Sequence, residues 1–324
     1  MPFNLREIPG LARWLCLALL ILALASVAQA AEPLASWREP LRGQILAYAS
    51  QAADPASPGF VPAPERVAAF DLDGTLITER PNFFVLEVAL ARLKAVCPAF
   101  GQQGPKEAEL CRAVAGKKDR RWVRKNLDQV LSLPFKGMSF AQYRELVAQV
   151  WNQGIHPKRQ KPFKDTVYQP MRELIALLGA KGFTVYLNSG ADELSLMAIS
   201  ADLGVEPSHC VGTRYQAEPR EREGRVELVR TGELDLKFLN LGVNKAVNMY
   251  FKAGCAPVLA AGNSGGDSWL LKMAGDNPRP HMVLVVNHDD PQEAVYSRPE
   301  LLATAKERGW RVVNMQDDWL RLFE

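Results

Sequence analysis

The chain of 324 residues has only 4 histidines, and its 5 cysteines form no C-x-x-C pair. No cysteine–histidine spacing suits zinc, so a zinc-organised fold is excluded. A dominant charge is also lacking. Lys and Arg number 39 against 36 Asp and Glu, a net of +3, so bulk charge names no partner. No internal repeat is visible, and a single apolar run exceeds ten residues, which rules out a polytopic membrane protein. The remaining composition, 48% apolar and 23% charged, is that of a globular chain long enough for a substantial core.

That one run opens the chain. Arg6 and Arg13 precede an apolar run of fourteen residues, Trp14 to Val27, broken only by Ser26, and Ala28-Gln29-Ala30 gives a small-x-small cleavage pattern. A spanning helix needs about 20 apolar residues. Residues 1–30 therefore read as a signal peptide cut after Ala30, placing the mature protein in the periplasm or outside the cell with no transmembrane span. Export permits disulfides among Cys97, Cys111, Cys210 and Cys255. Cys97 and Cys111 are the expected pair, being near in sequence with Pro98, Gly101, Gly104 and Pro105 between them. Cys210 and Cys255 precede strands not expected to be neighbours.

Residues 31–78 read as an N-terminal helix, a Pro/Ala-rich linker and a first strand. Ser36 is the expected cap of that helix, with Trp37, Leu41, Ile45 and Leu46 on its apolar face. Short apolar strands then alternate with helices: Val67–Phe70, Phe183–Leu187, His209–Gly212, Pro257–Ala261, Met282–Val286 and Arg311–Val313. This pattern predicts an α/β fold, a parallel sheet with helices on both faces. A hairpin is expected over 219–238. Residues 79–165 break the alternation with two long helical stretches and irregular basic sequence. They read as a mostly helical cap inserted after the first strand, and 166–324 as the rest of the core.

Polar residues follow the strand ends: Asp71 and Asp73, then Ser189, then Asn263 and Asp267. A parallel sheet gathers such ends on one edge, where open α/β sheets bind ligands. Two aspartates at i and i+2 repel, so a cation is expected beside them, and hard oxygen donors suit Mg2+. Gly74 permits a tight turn, and Thr75 adds a hydroxyl.

The segment Phe70-Asp71-Leu72-Asp73-Gly74-Thr75-Leu76 resembles the nucleophile motif of the haloacid dehalogenase-like hydrolase superfamily. Leu187-Asn188-Ser189-Gly190 resembles its second motif, Lys245 in GVNKAVN its third, and AAGNSGGD at 260–267 its acidic fourth. The resemblance covers about 60–324. VGTRY at 211–215 and the position of the helical insertion are similar to the phosphoserine-phosphatase-like branch, with a Rossmann-like core. It implies a Mg2+-dependent phosphomonoester hydrolase. Asp71 would attack phosphorus to form an aspartyl-phosphate, and Asp73 would serve as general acid and base. Ser189 and the Gly190 N–H would hold a phosphoryl oxygen at a helix N-terminus, and Lys245 would keep Asp71 ionised. Asp71, Asp73, Asn263 and Asp267 are the expected metal ligands; Thr75, Glu79 and Arg80 are expected near substrate. The sequence departs from the family at Asn263, where Asp is usual, which removes one negative charge from the metal site.

Two other readings share these residues. One is an exported module that binds a phosphate ester at a degenerate site; the other is phosphoryl transfer to an acceptor alcohol. The expected partner is a small anionic phosphate ester. Aromatic residues are not regularly interleaved with the basic clusters, which disfavours nucleic acid, and no obligate protein partner is implied. Residues 79–165 hold 17 basic and 8 acidic residues, so a basic cap sits on an acidic core.

Overall fold

The computed structural model describes residues 32–116 and 120–324, leaving out the side chains of Arg120, Arg121 and Arg124. The leader expected over 1–30 and the basic residues Lys117 and Lys118 lie outside the described residues. Among the described residues no helix is long and apolar enough to cross a membrane.

Helix α1 (Leu41–Ala53) begins after Pro40, not at Ser36. The residue before a proline is pushed out of the helical region, which stops the helix from starting earlier. Ser36 instead donates its hydroxyl to Glu173 Oε1 at 2.7 Å. Trp37 is buried outside the helix, edge-on to Trp319 with ring centroids 5.8 Å apart. Strand β1 (Val67–Phe70) follows, buried along its whole length as the centre of a two-faced sheet demands.

The chain then leaves the sheet through helices α2 (Phe84–Phe100), α3 (Pro105–Ala115), α4 (Arg120–Lys125), α5 (Leu127–Ser132) and α6 (Phe140–Gln153). The excursion closes on itself: Thr78 N donates to Thr166 O at 3.3 Å, and Tyr168 N to Leu76 O at 2.8 Å. A Cys97–Cys111 disulfide, with Cα atoms 5.4 Å apart, ties α2 to α3 as the spacing predicts.

The core resumes with α7 (Gln169–Ala180), β2 (Thr184–Asp192), α8 (Glu193–Ile199) and β3 (Cys210–Thr213). The hairpin arms are β4 (Tyr215–Arg222) and β5 (Arg225–Leu234), starting earlier than the expected 219–238. Then come α9 (Val243–Ala253), β6 (Leu259–Gly262), α10 (Ser268–Gly275), β7 (Met282–Asn287), α11 (Pro299–Arg308), β8 (Arg311–Asn314) and α12 (Met315–Asp318). The sheet order is β3-β2-β1-β6-β7-β8, all parallel. Alternation along β1 sends Ala68 and Phe70 to the face packed by α1 and α7, and Val67 and Ala69 to the face packed by α9, α10 and α11. Cys210 and Cys255 remain free thiols, one on edge strand β3 and the other leading into β6.

The hairpin leans on the cap rather than standing free. Gly137 N donates to Arg230 O at 2.9 Å, and Arg230 N to Met138 O at 2.9 Å. The Arg230 guanidinium is buried, pairs with Asp192 at 2.6 Å, and stacks against Tyr143 and Tyr215 at 4.1 and 4.4 Å. Asp192 ends β2, so this one ion pair joins hairpin, cap and core.

Candidate active site

The chain runs outward from β1 to β2 and β3, then crosses back to β6. The strand order therefore reverses between β1 and β6, the place where open α/β sheets form a crevice. Asp71 leaves the end of β1 there, its N–H donating to Ala261 O at 3.0 Å across to β6. Lys245 reaches the same point from the first turn of α9. Its ammonium donates to Asp71 Oδ1 and to Asp267 Oδ1, both at 2.6 Å. All three groups are buried.

Burial, reinforced by the neighbouring Asp267 charge and opposed by Lys245, pushes the Asp71 carboxyl up to about 6. Burial alone would lower Lys245, but Asp267 and Asp71 outweigh it and hold the ammonium above its usual range. Asp73 stands beside the crevice and accepts from Phe84 N, at the start of α2, at 2.8 Å. Burial pushes it up to about 8, against the effect of that hydrogen bond and with a further push from Asp71 and Glu79. Gly74 has φ +82°, and a Cβ there would collide with the Asn263 amide, so the turn between the two loops requires glycine.

Asp267 has a different task from the metal ligation expected of it. It has no solvent exposure, and its second oxygen accepts from Asn263 N, Ser264 N and Ser264 Oγ at 3.2, 2.9 and 2.9 Å. With both oxygens engaged, it anchors the loop and serves as counter-ion to Lys245. Thr75, expected near substrate, is fully buried and donates to Asn263 Oδ1 at 3.5 Å. Ser189 and Gly190 lie in a bulged end of β2 rather than at a helix N-terminus. The β2–β3 register shifts between Asn188 and Asp192, and it is Asp192 that caps α8, accepting from Leu194 N at 2.9 Å. Gly190 is nonetheless closely approached: a Cβ there would collide with the Leu241 side chain. Glu79 pairs with Arg298 at 3.3 Å and with Arg80 at 3.6 Å, at the rim of the cap.

Several contributing residues escape a sequence reading. Asn240 Nδ2 donates to Asn188 Oδ1, Ser189 O and Val211 O at 2.9, 2.8 and 3.1 Å, locking the second motif in place. His288, just past β7, donates from Nε2 to Gly74 O at 2.7 Å, and its Nδ1 lies 3.1 Å from Glu293 Oε2. Its ring stacks on Tyr296, centroids 4.2 Å apart, which braces the Asp73–Gly74 turn from β7, across β6. The one sequence signal for His288 is its position after a strand of the same sheet.

Among the described residues no three His, Cys, Asp or Glu side chains cluster as a metal site. The donors that converge on the crevice are the carboxyls of Asp71 and Asp73 and the amide of Asn263. These are hard oxygen ligands, and burial pushes both Asp71 and Asp73 above the usual carboxylate range, so a cation beside them would be favoured. The set fits Mg2+, which is commonly held by one or two carboxylates and retains waters.

A parallel sheet with acids at its switch point and a helical cap inserted after the first strand defines a Rossmann-like α/β protein with a capped, carboxylate-bearing crevice. A profile described as haloacid dehalogenase-like hydrolase matches residues 65–226, half of the chain. The chain belongs to that family. No curated protein matches it. Among solved structures, a conserved protein of unknown function from Anaerococcus prevotii is 14% identical, with 86% of this chain and 92% of that one covered and a TM-score of 0.56. It shares the fold. A protein of unknown function from Bordetella pertussis is 18% identical over 77% of this chain and 98% of that one, TM-score 0.45. A phosphoserine phosphatase carrying a phospho-aspartyl intermediate analogue is 19% identical over 76% and 91%, TM-score 0.37. The last two scores are too low to carry an argument.

Proposed function

We propose that this hydrolase is a phosphomonoesterase of the phosphoserine-phosphatase-like branch, working through a covalent aspartyl-phosphate on Asp71. The observation that carries the reading is Lys245, whose ammonium bridges Asp71 and Asp267 at 2.6 Å each. A binding module would need no such device to keep one buried carboxylate ionised. Asp71 attacks phosphorus in line, and the new P–O bond forms as the bond to the leaving oxygen breaks. Asp73, whose carboxyl is held protonated near neutral pH by burial, gives its proton to that leaving oxygen. It then takes a proton from the water that attacks the phosphoryl group and frees Asp71. Ser189 and the Gly190 N–H orient a phosphoryl oxygen.

Asp71, Asp73 and Asn263 would hold Mg2+, which when bound neutralises charge developing on the phosphoryl oxygens. Asn263 supplies an oxygen without a charge, and Asp73 is neutral while it holds its proton, so Asp71 would bring the negative charge to the metal. Export is part of the reading: the Arg-flanked apolar leader and the Cys97–Cys111 bridge both support an oxidising compartment. Sequencing the mature N-terminus should find Ala31 first.

The test is turnover of p-nitrophenyl phosphate by purified mature protein with Mg2+ and with EDTA. Hydrolysis that requires the metal and falls at least about a thousandfold in Asp71→Asn is expected. Asp71→Asn retaining more than about a tenth of the rate would end the assignment.

A further inference from the structure

A pocket of about 450 Å³ lies within the cap beside the crevice, in the size range of small-molecule sites. Its walls are apolar: Leu86 and Leu90 from α2, Leu110 and Val114 from α3, and Val123 and Leu127 from α4 and α5. Its mouth is charged, formed by Glu79, Arg80 and Arg298. The mouth abuts the catalytic turn, because the Glu79 carboxylate lies 3.2 Å from where a Gly74 Cβ would stand. Arg80 and Arg298 are held in place there by Tyr296, their guanidinium carbons 4.5 and 5.1 Å from its ring centroid.

Helix α2 connects the pocket to the chemistry. Its first N–H donates to Asp73, the group that protonates the leaving oxygen, and its next turns form the pocket wall. A leaving group protonated by Asp73 therefore points along α2. The pocket follows that helix to Lys94, which is exposed at the far end, about 15 Å on at 1.5 Å per residue. The helix carries more apolar surface than packing requires. Val88, Ala89 and Leu93 are buried in the core, while Leu90 lines the pocket and stays half-exposed, as Leu127 and Val123 do from the facing elements. One apolar stripe suffices for a packed helix; the second lines the pocket.

We propose that the cap pocket binds the leaving group of the substrate, and that this leaving group is an elongated apolar alcohol, alkyl or aryl, rather than a small polar one. The proposal rests on the phosphomonoesterase reading for its orientation, with phosphate at Asp71 and the hydrocarbon along α2. A polar leaving group such as that of serine phosphate would leave the pocket walls without contacts and its own polar groups without partners among them.

The test separates binding from turnover. A series of n-alkylphosphonates, from methyl to octyl, is titrated calorimetrically into the mature protein with Mg2+. The dissociation constant should fall with chain length, by about fourfold for each methylene that enters the pocket, with an increasingly negative heat-capacity change. Leu90→Asn and Leu127→Asn should flatten the slope, and Leu90→Met, which stays apolar, should keep it. Circular dichroism identifies any variant that fails to fold. A dissociation constant independent of chain length in the wild type overturns the proposal, whatever the enzyme hydrolyses. A steep slope in a protein that fails to turn over p-nitrophenyl phosphate upholds the pocket and overturns the phosphomonoesterase reading alone.

Discussion

Lys245 stands in the first turn of α9, where the helix dipole disfavours a cation, yet it is buried there between two carboxylates. Removing it would leave Asp71 and Asp267 facing each other unneutralised. Asp73 has no such partner, which gives it a measurable signature. In the metal-free protein burial pushes its carboxyl up to about 8, above the usual aspartate range. The folded state thus binds a proton that the unfolded state releases between about pH 4 and pH 8, so stability falls as pH rises through that window. Thermal denaturation in EDTA should show this loss, and Asp73→Asn or added Mg2+ should flatten it; an unchanged slope in Asp73→Asn would contradict the placement. At this scale the sequence was most readable where residues sit in a motif. Asp71, Asp73, Lys245 and Asn263 could be read from the DLDGT, NK and GNSGGD segments. Asp267 was recognised, but its task was not, because which atoms fill a carboxylate's two oxygens is a matter of loop geometry. His288, Asn240 and Tyr296 act from isolated positions with no spacing to announce them.

Helix α2 is fixed at both ends, by Asp73 at its start and by the disulfide to α3 near its finish. The bridge closes a loop of 14 residues, worth about 3 kcal/mol by loop-closure entropy. Cys97→Ser with Cys111→Ser should lower the unfolding free energy by that order in chemical denaturation, and loosen the α2–α3 wall of the cap pocket. A buried pair, Arg230 and Asp192, joins the hairpin to the core. Arg230→Met leaves the Asp192 carboxylate buried without its counter-ion, at a cost of about 3–5 kcal/mol, and the double variant with Asp192→Leu should regain part of the loss. Urea denaturation of the two variants measures both terms. The strands and long helices were legible from periodicity, since apolar runs and caps are local signals. The β4–β5 contact with the cap was not, because it depends on Arg230, a residue type normally read as solvent-facing. Ser36 misled for a related reason: a good capping residue was overruled by the backbone restriction of Pro40, four residues on.

Across the whole molecule, a cap carrying 17 basic and 8 acidic residues covers a crevice whose own charges are acidic. Of its basic clusters, Lys125, Lys161 and Lys164 are exposed, while Lys158 is bonded to Glu293 O and Arg159 stacks on Phe323. A field of this sign draws anionic esters to the crevice and is screened over about 10 Å at 0.1 M salt. For a doubly charged ester, kcat/KM should fall as NaCl rises while kcat changes little; a salt-independent kcat/KM would make the basic cap a surface feature only. The parallel sheet and the insertion after β1 were legible at this scale, because alternation and its interruption span many residues. Substrate choice was not, since it depends on the shape enclosed by several short helices. The central claim is that Asp71 carries the phosphoryl group during turnover. Acid quenching of the protein during hydrolysis of p-nitrophenyl phosphate, followed by peptide mass spectrometry, addresses it directly. The account predicts a mass gain of one phosphoryl group on the peptide containing Asp71, lost in Asp71→Asn; turnover with no such adduct, or with the adduct on another residue, would contradict it.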